Sequence, residues 1–197
     1  IAYSGNTGFS YGPHLHFELR DENGMIINPL TNGLDQPDRL AAIVEEVALT
    51  PLDKDSWVNG NQLPQNFPVF RDKKGEYHFA DTINVFGKIG VSIKTHDKRE
   101  GANNKYQPHQ IEIFVNDEIF HSLKFEKLSY NWQSTANYIN DYRNSRLNLG
   151  DFVKLYRNYG DPTVPVHSVE TDGTMELNKG YHKIKLVVYD AKENARV

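Results

Sequence analysis

Short runs of alternating apolar and polar residues, separated by turn residues, recur from about residue 40 to the end of the chain. The clearest runs are 88–94, 110–115 and 182–189. A period of two is typical of a strand with one buried and one exposed face. Several such strands at short spacing predict an all-β sandwich. The eleven Tyr and ten Phe against two Met also favour sheets over helical bundles.

Further short strands are predicted at 76–80, 83–86, 118–124 and 175–177. Asn116-Asp117 is predicted to close a hairpin between two of the strands. Two segments are ambiguous. Residues 40–49 show a helical stripe but also the β-branched run of a strand, and we favour a strand because of the pattern that follows. Residues 129–146, rich in Tyr and Asn, fit either a long loop or a short helix.

The stretch with the clearest chemical content is Gly12-Pro13-His14-Leu15-His16-Phe17-Glu18-Leu19-Arg20. A period of two predicts a strand with its apolar residues on one face and its polar residues on the other. The polar face then carries His14, His16, Glu18 and Arg20. Two imidazoles on one face can serve one centre, one as a metal ligand and one in proton transfer or charge stabilisation. The pattern alone also fits an ordinary strand with one wet face.

Three motifs occur in order near the N-terminus: Gly5-Asn6-Thr7-Gly8, then Gly12-Pro13-His14-Leu15-His16-Phe17-Glu18, then Ile27-Asn28-Pro29-Leu30. In this order and spacing they resemble the C-terminal half of the lysostaphin-type zinc endopeptidases, which cut peptide cross-links in bacterial cell walls. The resemblance implies that His16 is a Zn²⁺ ligand and that His14 assists catalysis, by polarising the attacking water or stabilising the oxyanion. A catalytic zinc takes three protein ligands and keeps one position open for water.

The family's other two zinc ligands come from an upstream His-x-x-x-Asp motif, which this chain does not contain. No aspartate follows four residues after any of the histidines at 78, 96, 109, 121, 167 and 182. We therefore expect the parent protein to be a zinc endopeptidase acting on peptidoglycan and this chain alone to be inactive. The alternative is a non-catalytic scaffold that binds cell wall or regulates another hydrolase. The presence of the upstream motif in the parent would discriminate between them.

The resemblance predicts two parts joined by a linker. Residues 1–34 would be the C-terminal part of a peptidase domain truncated at its N-terminus, and 35–40 the linker. Residues 41–197 would be an Ig-like β-sandwich, which could itself be truncated at its C-terminus. Motifs such as Gly87-Lys88-Ile89-Gly90 and Gly180-Tyr181-His182 resemble the sandwich domain that follows the peptidase domain in some bacterial cell-wall hydrolases. The expected fold class is mainly β, an antiparallel peptidase fragment plus a sandwich.

Charge and composition exclude several other classes. A net charge of −4 with scattered Lys and Arg argues against nucleic-acid binding. The chain has no cysteine, which excludes disulfides and thiolate metal sites. No apolar run approaches the roughly 18 residues that a membrane span needs. The resemblance implies a cell-envelope location, periplasmic or secreted, with any signal segment upstream, and peptidoglycan stems or cross-bridges as partners.

A polar cluster follows the predicted strand at 88–94. It consists of His96, Asp97, Glu100, Asn103 and Asn104. Its oxygen-bearing side chains could bind calcium. The spacing is not that of a known calcium loop, so a solvated loop is the preferred interpretation.

The remaining candidates have more ordinary interpretations. Asp190, Glu193 and Asn194 predict a solvated turn after a strand. The scattered histidines are predicted to be surface residues. Trp57 and Trp132 could form a surface on which carbohydrate stacks, but core packing is the preferred interpretation.

Overall fold

The computed structural model of the protein describes residues 3–8, 11–34, 38–101, 103–129, 138–158, 160 and 171–197. These residues are mainly β, as predicted, with several antiparallel sheets. The strands are β1 (Leu19–Arg20), β2 (Ile26–Ile27), β3 (Ile43–Pro51), β4 (Trp57–Val58), β5 (Gln65–Pro68), β6 (Phe70–Arg71), β7 (Tyr77–His78), β8 (Val85–Phe86), β9 (Lys88–His96), β10 (Gln110–Val115), β11 (Glu118–Lys124), β12 (Lys127–Leu128), β13 (Val153–Lys154), β14 (Met175–Glu176), β15 (Ile184–Tyr189) and β16 (Ala195–Arg196). One short helix, α1, spans Tyr142–Arg146.

Two antiparallel sheets share the main hydrophobic core. The larger has the order β13-β9-β3-β5, with β14 also paired to β9, and the other has the order β11-β10-β15-β16. Inward-facing residues of both sheets join one cluster, which includes Val47, Ile93, Ile113, Leu123 and Val188. Full burial of each such side chain stabilises the fold by about 1.5–3 kcal/mol. The alternating pattern of the sequence therefore does produce two facing sheets.

The predicted hairpin between β10 and β11 is confirmed. Both strands have the predicted bounds, and the turn residues Asn116 and Asp117 have φ values of 52° and 68°. Asn and Asp tolerate positive φ better than other side chains, and such turns match the twist of paired strands. Local turn chemistry thus sets the register of this pair.

The two ambiguous segments have different outcomes. Residues 40–49 contribute to strand β3, as favoured, and Ile43–Pro51 pairs with both β5 and β9. Residues 129–146 contain the short helix α1, whose N-cap Asp141 accepts a hydrogen bond from the backbone N–H of Asn144. Residues 130–137 of that segment lie outside the described residues.

The alternating pattern did not predict several short strands. These are β4, β5, β6, β12, β13 and β16, of which all except the four-residue β5 contain two residues. The two-residue strands are set by their neighbours in the sheet, since two residues carry no periodicity.

The N-terminal part packs against the rest of the chain through a small sheet. A turn is formed at Asn23-Gly24, with Gly24 at φ +76° and its N–H bonded to the carbonyl of Asp21 at 2.9 Å. It joins β1 to β2, and β2 pairs with β12. Asp21 also forms an ion pair with Lys127 at 3.1 Å, and the Asn28 N–H bonds the Glu126 carbonyl at 3.0 Å. The division at residues 34 and 41 stays a prediction. Within the described part of the chain, no helix has the length and apolar character needed to cross a membrane.

Candidate functional site

The stretch that carries His14 and His16 forms much less sheet than its alternation predicts. His14 makes an isolated antiparallel bridge with Gly5, and regular strand begins only at Leu19. Leu15 and Phe17, which the pattern places on the apolar face, are 87% and 56% exposed. The prediction of a regular strand is therefore wrong for most of this stretch. A strand persists only where neighbouring backbone supplies hydrogen-bond partners. In the described structure those partners come from Gly5 and β2.

The ring of His14 has a defined orientation. Its Nδ1 lies 2.9 Å from the carbonyl oxygen of Gly12, and the side chain is exposed. A carbonyl oxygen only accepts hydrogen bonds, so Nδ1 carries the proton when the ring is neutral. Nε2 is then the basic atom, which is the arrangement that a proton acceptor or water-polarising group requires.

His16, Glu18 and Arg20 form a row of contacts along one side of the backbone, as the period of two predicts. The Nε2 atom of His16 lies 3.4 Å from a Glu18 carboxylate oxygen, with the His16 side chain 70% exposed. Arg20 donates from Nε to the other Glu18 oxygen at 2.8 Å, and its Nη2 contacts the same oxygen. A carboxylate beside Nε2 favours the tautomer with the proton on that atom. His16 therefore presents Nδ1 as the atom that could ligate a metal.

The neighbouring Arg20 favours the charged form of Glu18. The hydrogen bond from the Arg20 guanidinium lowers the pKa of Glu18 below its usual value, although partial removal from water opposes the shift, and His16 lowers it further. The carboxylate is therefore ionised at neutral pH. It provides a negative charge that orients the imidazole of His16.

The described residues do not fit a complete zinc centre at His16. A catalytic zinc needs three protein ligands. Among the residues described, two groups of three side chains could hold a metal ion: Asp72 with Glu76 and His78, and Asp38 with Asp97 and Asp190. Neither group includes His14 or His16. The structure thus leaves the assignments of His14 and His16 as predictions.

The group Asp72, Glu76 and His78 lies on the exposed β6–β7 hairpin. His78 Nε2 is 3.2 Å from an oxygen of Asp72 and 4.0 Å from one of Glu76. Exposed ion pairs of this kind contribute little to stability and are common on surfaces. His78 is therefore a useful control for any metal-binding measurement on His16.

The group Asp38, Asp97 and Asp190 corrects two predictions. Asp97 and Asp190, expected in a solvated loop and a solvated turn, are 2% and 0% exposed. Burial, and then the negative charges of Asp38 and Asp190, raise the pKa of Asp97 to about 6. The turn after β15 is itself confirmed, because Asp190 accepts hydrogen bonds from the backbone of Lys192 and Asn194. The other oxygen-bearing residues of the predicted polar cluster, Glu100, Asn103 and Asn104, are exposed.

Two of the scattered histidines are buried, contrary to the surface prediction. His109 is 8% exposed and His121 is 0% exposed. Thr171 donates its hydroxyl hydrogen to the Phe120 carbonyl at 3.0 Å, so His121 Nδ1 donates to the Thr171 oxygen at 2.8 Å. Burial, and then the charge of Arg157, lower the pKa of His121 to about 4. His167 lies outside the described residues.

Trp57 is half-buried and stacks on Phe86, with ring centroids 5.7 Å apart. The pair lies where β4 and β8 are joined. Trp132 lies outside the described residues, so a shared aromatic surface stays a prediction.

Comparison with known proteins gives a short match. A stretch of 31 residues, 16% of this chain, is 64% identical to a protein of Haemophilus influenzae described as an uncharacterized metalloprotease. The match covers 6% of that protein's length. No family model matches the chain, and no solved structure matches it significantly. The short match suggests a metallopeptidase, and hence a bound metal, without specifying zinc or a substrate.

Proposed function

We propose that this chain is part of a zinc-dependent endopeptidase that hydrolyses peptide bonds of bacterial peptidoglycan. The observation that carries the proposal is the 31-residue match, at 64% identity, to a protein described as a metalloprotease. Zinc and peptidoglycan rest on the resemblance of the motif around His14 and His16 to the lysostaphin-type endopeptidases. The sandwich, Ig-like in this proposal, would then be the domain that accompanies the peptidase domain.

His16 would supply one metal ligand through Nδ1. The contact between its Nε2 and Glu18 is the kind of outer hydrogen bond that orients metal-binding histidines. Arg20 in turn holds Glu18 in place and ionised. The remaining ligands would come from residues outside this chain.

His14 would act on the water or on the oxyanion. Its Nδ1 is held by the Gly12 carbonyl, which aligns the ring and makes Nε2 the basic atom. A positioned imidazole can take a proton from an attacking water and, once protonated, stabilise developing negative charge. Its exposure is compatible with access by a large polymeric substrate.

The location and partners follow from the proposed substrate. Peptidoglycan lies in the cell envelope, so the enzyme would be periplasmic or secreted. Its peptide stems or cross-bridges would be the bonds cleaved.

The test uses the complete metallopeptidase of which we propose that this chain is a part. Zinc content is measured by elemental analysis and peptidoglycan cleavage by chromatography of released fragments. His16→Ala should lose both the zinc and the cleavage. His14→Ala should keep the zinc and lose about 10²- to 10⁴-fold in rate, the usual contribution of acid–base catalysis.

His78→Ala is the matched control, because His78 belongs to a potential metal-binding group on an unrelated hairpin. It should retain zinc and activity. Retention of both by His16→Ala would contradict the proposal. Cleavage of casein but not of peptidoglycan by the wild type would support a metallopeptidase but contradict the assignment of peptidoglycan as its substrate.

A second candidate is a non-catalytic scaffold that binds cell wall or regulates another hydrolase. The observation in its favour is that neither three-ligand group among the described residues includes His14 or His16. This candidate predicts that the wild-type protein holds no zinc and cleaves nothing, yet sediments with purified cell-wall sacculi.

A further inference from the structure

Three aspartates from distant parts of the chain meet at one end of the sandwich. Asp38 precedes β3, Asp97 directly follows β9, and Asp190 directly follows β15. Ile43 at the start of β3 pairs with His96 at the end of β9, which brings Asp38 towards Asp97. One carboxylate oxygen from each aspartate lies within 4.8 Å of the other two. The two facing sheets and the segment before β3 therefore each contribute one carboxylate.

This cluster carries excess negative charge in a buried place. The side chain of Asp38 is fully buried, and Asp97 and Asp190 are 2% and 0% exposed. Among the described residues, Arg99 is a cation beside them, with Nη1 3.8 Å from Asp38 Oδ2. Three carboxylates and one guanidinium leave a formal charge of −2, which one divalent cation would balance. Buried charge without such compensation is strongly unfavourable.

A separate observation concerns hydrogen bonding. Among the described residues, Asp38 Oδ2 is buried and has no hydrogen-bond partner, and the same holds for Nε and Nη1 of Arg99. Nearly all buried polar atoms in native proteins are hydrogen-bonded or coordinate an ion. An oxygen that is buried, without a donor and beside two further carboxylates has the character of a metal ligand.

Four of the other carboxylate oxygens accept hydrogen bonds, and Oδ2 of Asp190 does so from the side-chain amide of Asn194 at 2.7 Å. Oδ1 of Asp38 accepts from the Leu40 N–H at 3.0 Å, and Oδ1 of Asp97 accepts from the Lys98 N–H at 2.8 Å. Oδ1 of Asp190 accepts from the Lys192 N–H at 2.7 Å. Bonds of this kind orient ligands from outside a metal's own coordination shell. These local hydrogen bonds therefore restrain the directions of the three carboxylates.

We infer that Asp38, Asp97 and Asp190 form a Ca²⁺ site that ties the segment before β3 to one strand of each sheet. Calcium takes oxygen ligands at about 2.4 Å, so two of its ligands can lie up to about 4.8 Å apart. Magnesium requires shorter, near-octahedral coordination, and zinc prefers nitrogen and sulfur. The all-carboxylate composition therefore favours calcium. This inference is independent of the proposed peptidase function.

The first experiment measures calcium binding by the 197-residue chain after treatment with EDTA and desalting. Titration calorimetry should give one Ca²⁺ per chain. The midpoint temperature of thermal unfolding should rise by about 5–10 °C at a Ca²⁺ concentration roughly one hundred times the Kd. Mg²⁺ should give a smaller shift. An absence of calcium binding, and of any shift at millimolar Ca²⁺, would overturn the inference.

Variants locate the site. Asp38→Asn should weaken calcium binding by at least about tenfold, because a charged ligand is lost. Asp117→Asn is the matched control, an exposed aspartate whose side chain pairs with Lys183, and it should bind calcium like the wild type. Asp97→Asn provides a second variant if Asp38→Asn does not fold. Binding that survives both cluster substitutions but is lost in Asp72→Asn would place the ion on the exposed hairpin and contradict the inference.

Discussion

Strand β10 and the His14–His16 stretch have the same alternating pattern but differ in the burial of their apolar side chains. In β10, Ile111 and Ile113 are 1% and 0% exposed, whereas Leu15 and Phe17 are 87% and 56% exposed. β10 lies between β11 and β15, which pair with it along its whole length, with one shift in the β11 register between Ile113 and Phe114. The described partners of the other stretch are limited to Gly5 and β2. Alternation thus states which residues would share a face, while the neighbouring strands decide whether that face is buried.

Polar residues of the N-terminal stretch and of the sandwich show the same contrast in burial. His14 and His16 remain exposed, where a ligand or substrate could reach them. His121 and the three clustered aspartates are buried, where their charge states depend on their neighbours. The surface groups are therefore candidates for chemistry and the buried ones for structural control.

The largest expected effect tests the contrast in burial. Ile113→Ala should destabilise the chain by about 2–5 kcal/mol, because it leaves a cavity between the two sheets. Leu15→Ala should change the free energy of unfolding by less than about 0.5 kcal/mol, as is usual for exposed positions. Urea unfolding measures both. Equal losses in the free energy of unfolding would mean that the Leu15 side chain is buried in solution. The contrast in burial between the two regions would then be wrong.

The next effect concerns pH and the buried imidazole. Because burial lowers the pKa of His121 to about 4, the folded state disfavours the protonated ring. The unfolded chain takes up that proton below its ordinary pKa of about 6.5, so this contribution to stability is complete above that pH. It is lost as the pH falls towards 4 and amounts to about 3 kcal/mol.

The measurement is urea unfolding of the wild type and His121→Leu at pH 7 and pH 4.5. Asp97, with its pKa raised to about 6, changes the stability in the opposite direction with pH, but it does so in both proteins. The difference between their pH-dependent free energies of unfolding therefore reports the His121 imidazole. His16→Leu, at an exposed side chain, is the control and should follow the wild type. A pH dependence that is unchanged in His121→Leu would show that the ring is accessible to solvent.

The smallest expected effect concerns the exposed row of His16, Glu18 and Arg20. Arg20→Ala removes the hydrogen bond that holds down the pKa of Glu18, so that pKa should rise towards its ordinary value. The free energy of unfolding should change little, as for other exposed ion pairs. NMR titration of the Glu18 carboxylate checks the shift. An unchanged pKa would mean that Arg20 does not contact Glu18 in solution.

Local sequence signals predicted the structure where they spanned enough residues. The six-residue β10 and seven-residue β11 had the predicted bounds, and the Asn116-Asp117 turn joined them. Two-residue strands such as β12 and β13 gave no signal, because a period cannot be read from two positions. The row of His16, Glu18 and Arg20 was predictable because i and i+2 side chains share a face in extended backbone.

The sequence by itself determined the mainly β class, the longer strands, their hairpin turn and the pair of histidines that carries the proposed chemistry. These depend on backbone geometry over a few residues, which the local pattern describes. Only the tertiary structure decided that Asp38, Asp97 and Asp190 meet and that His109 and His121 are buried. Such contacts depend on which strands become neighbours, and strand pairing joins residues whose separation along the chain leaves no local signal.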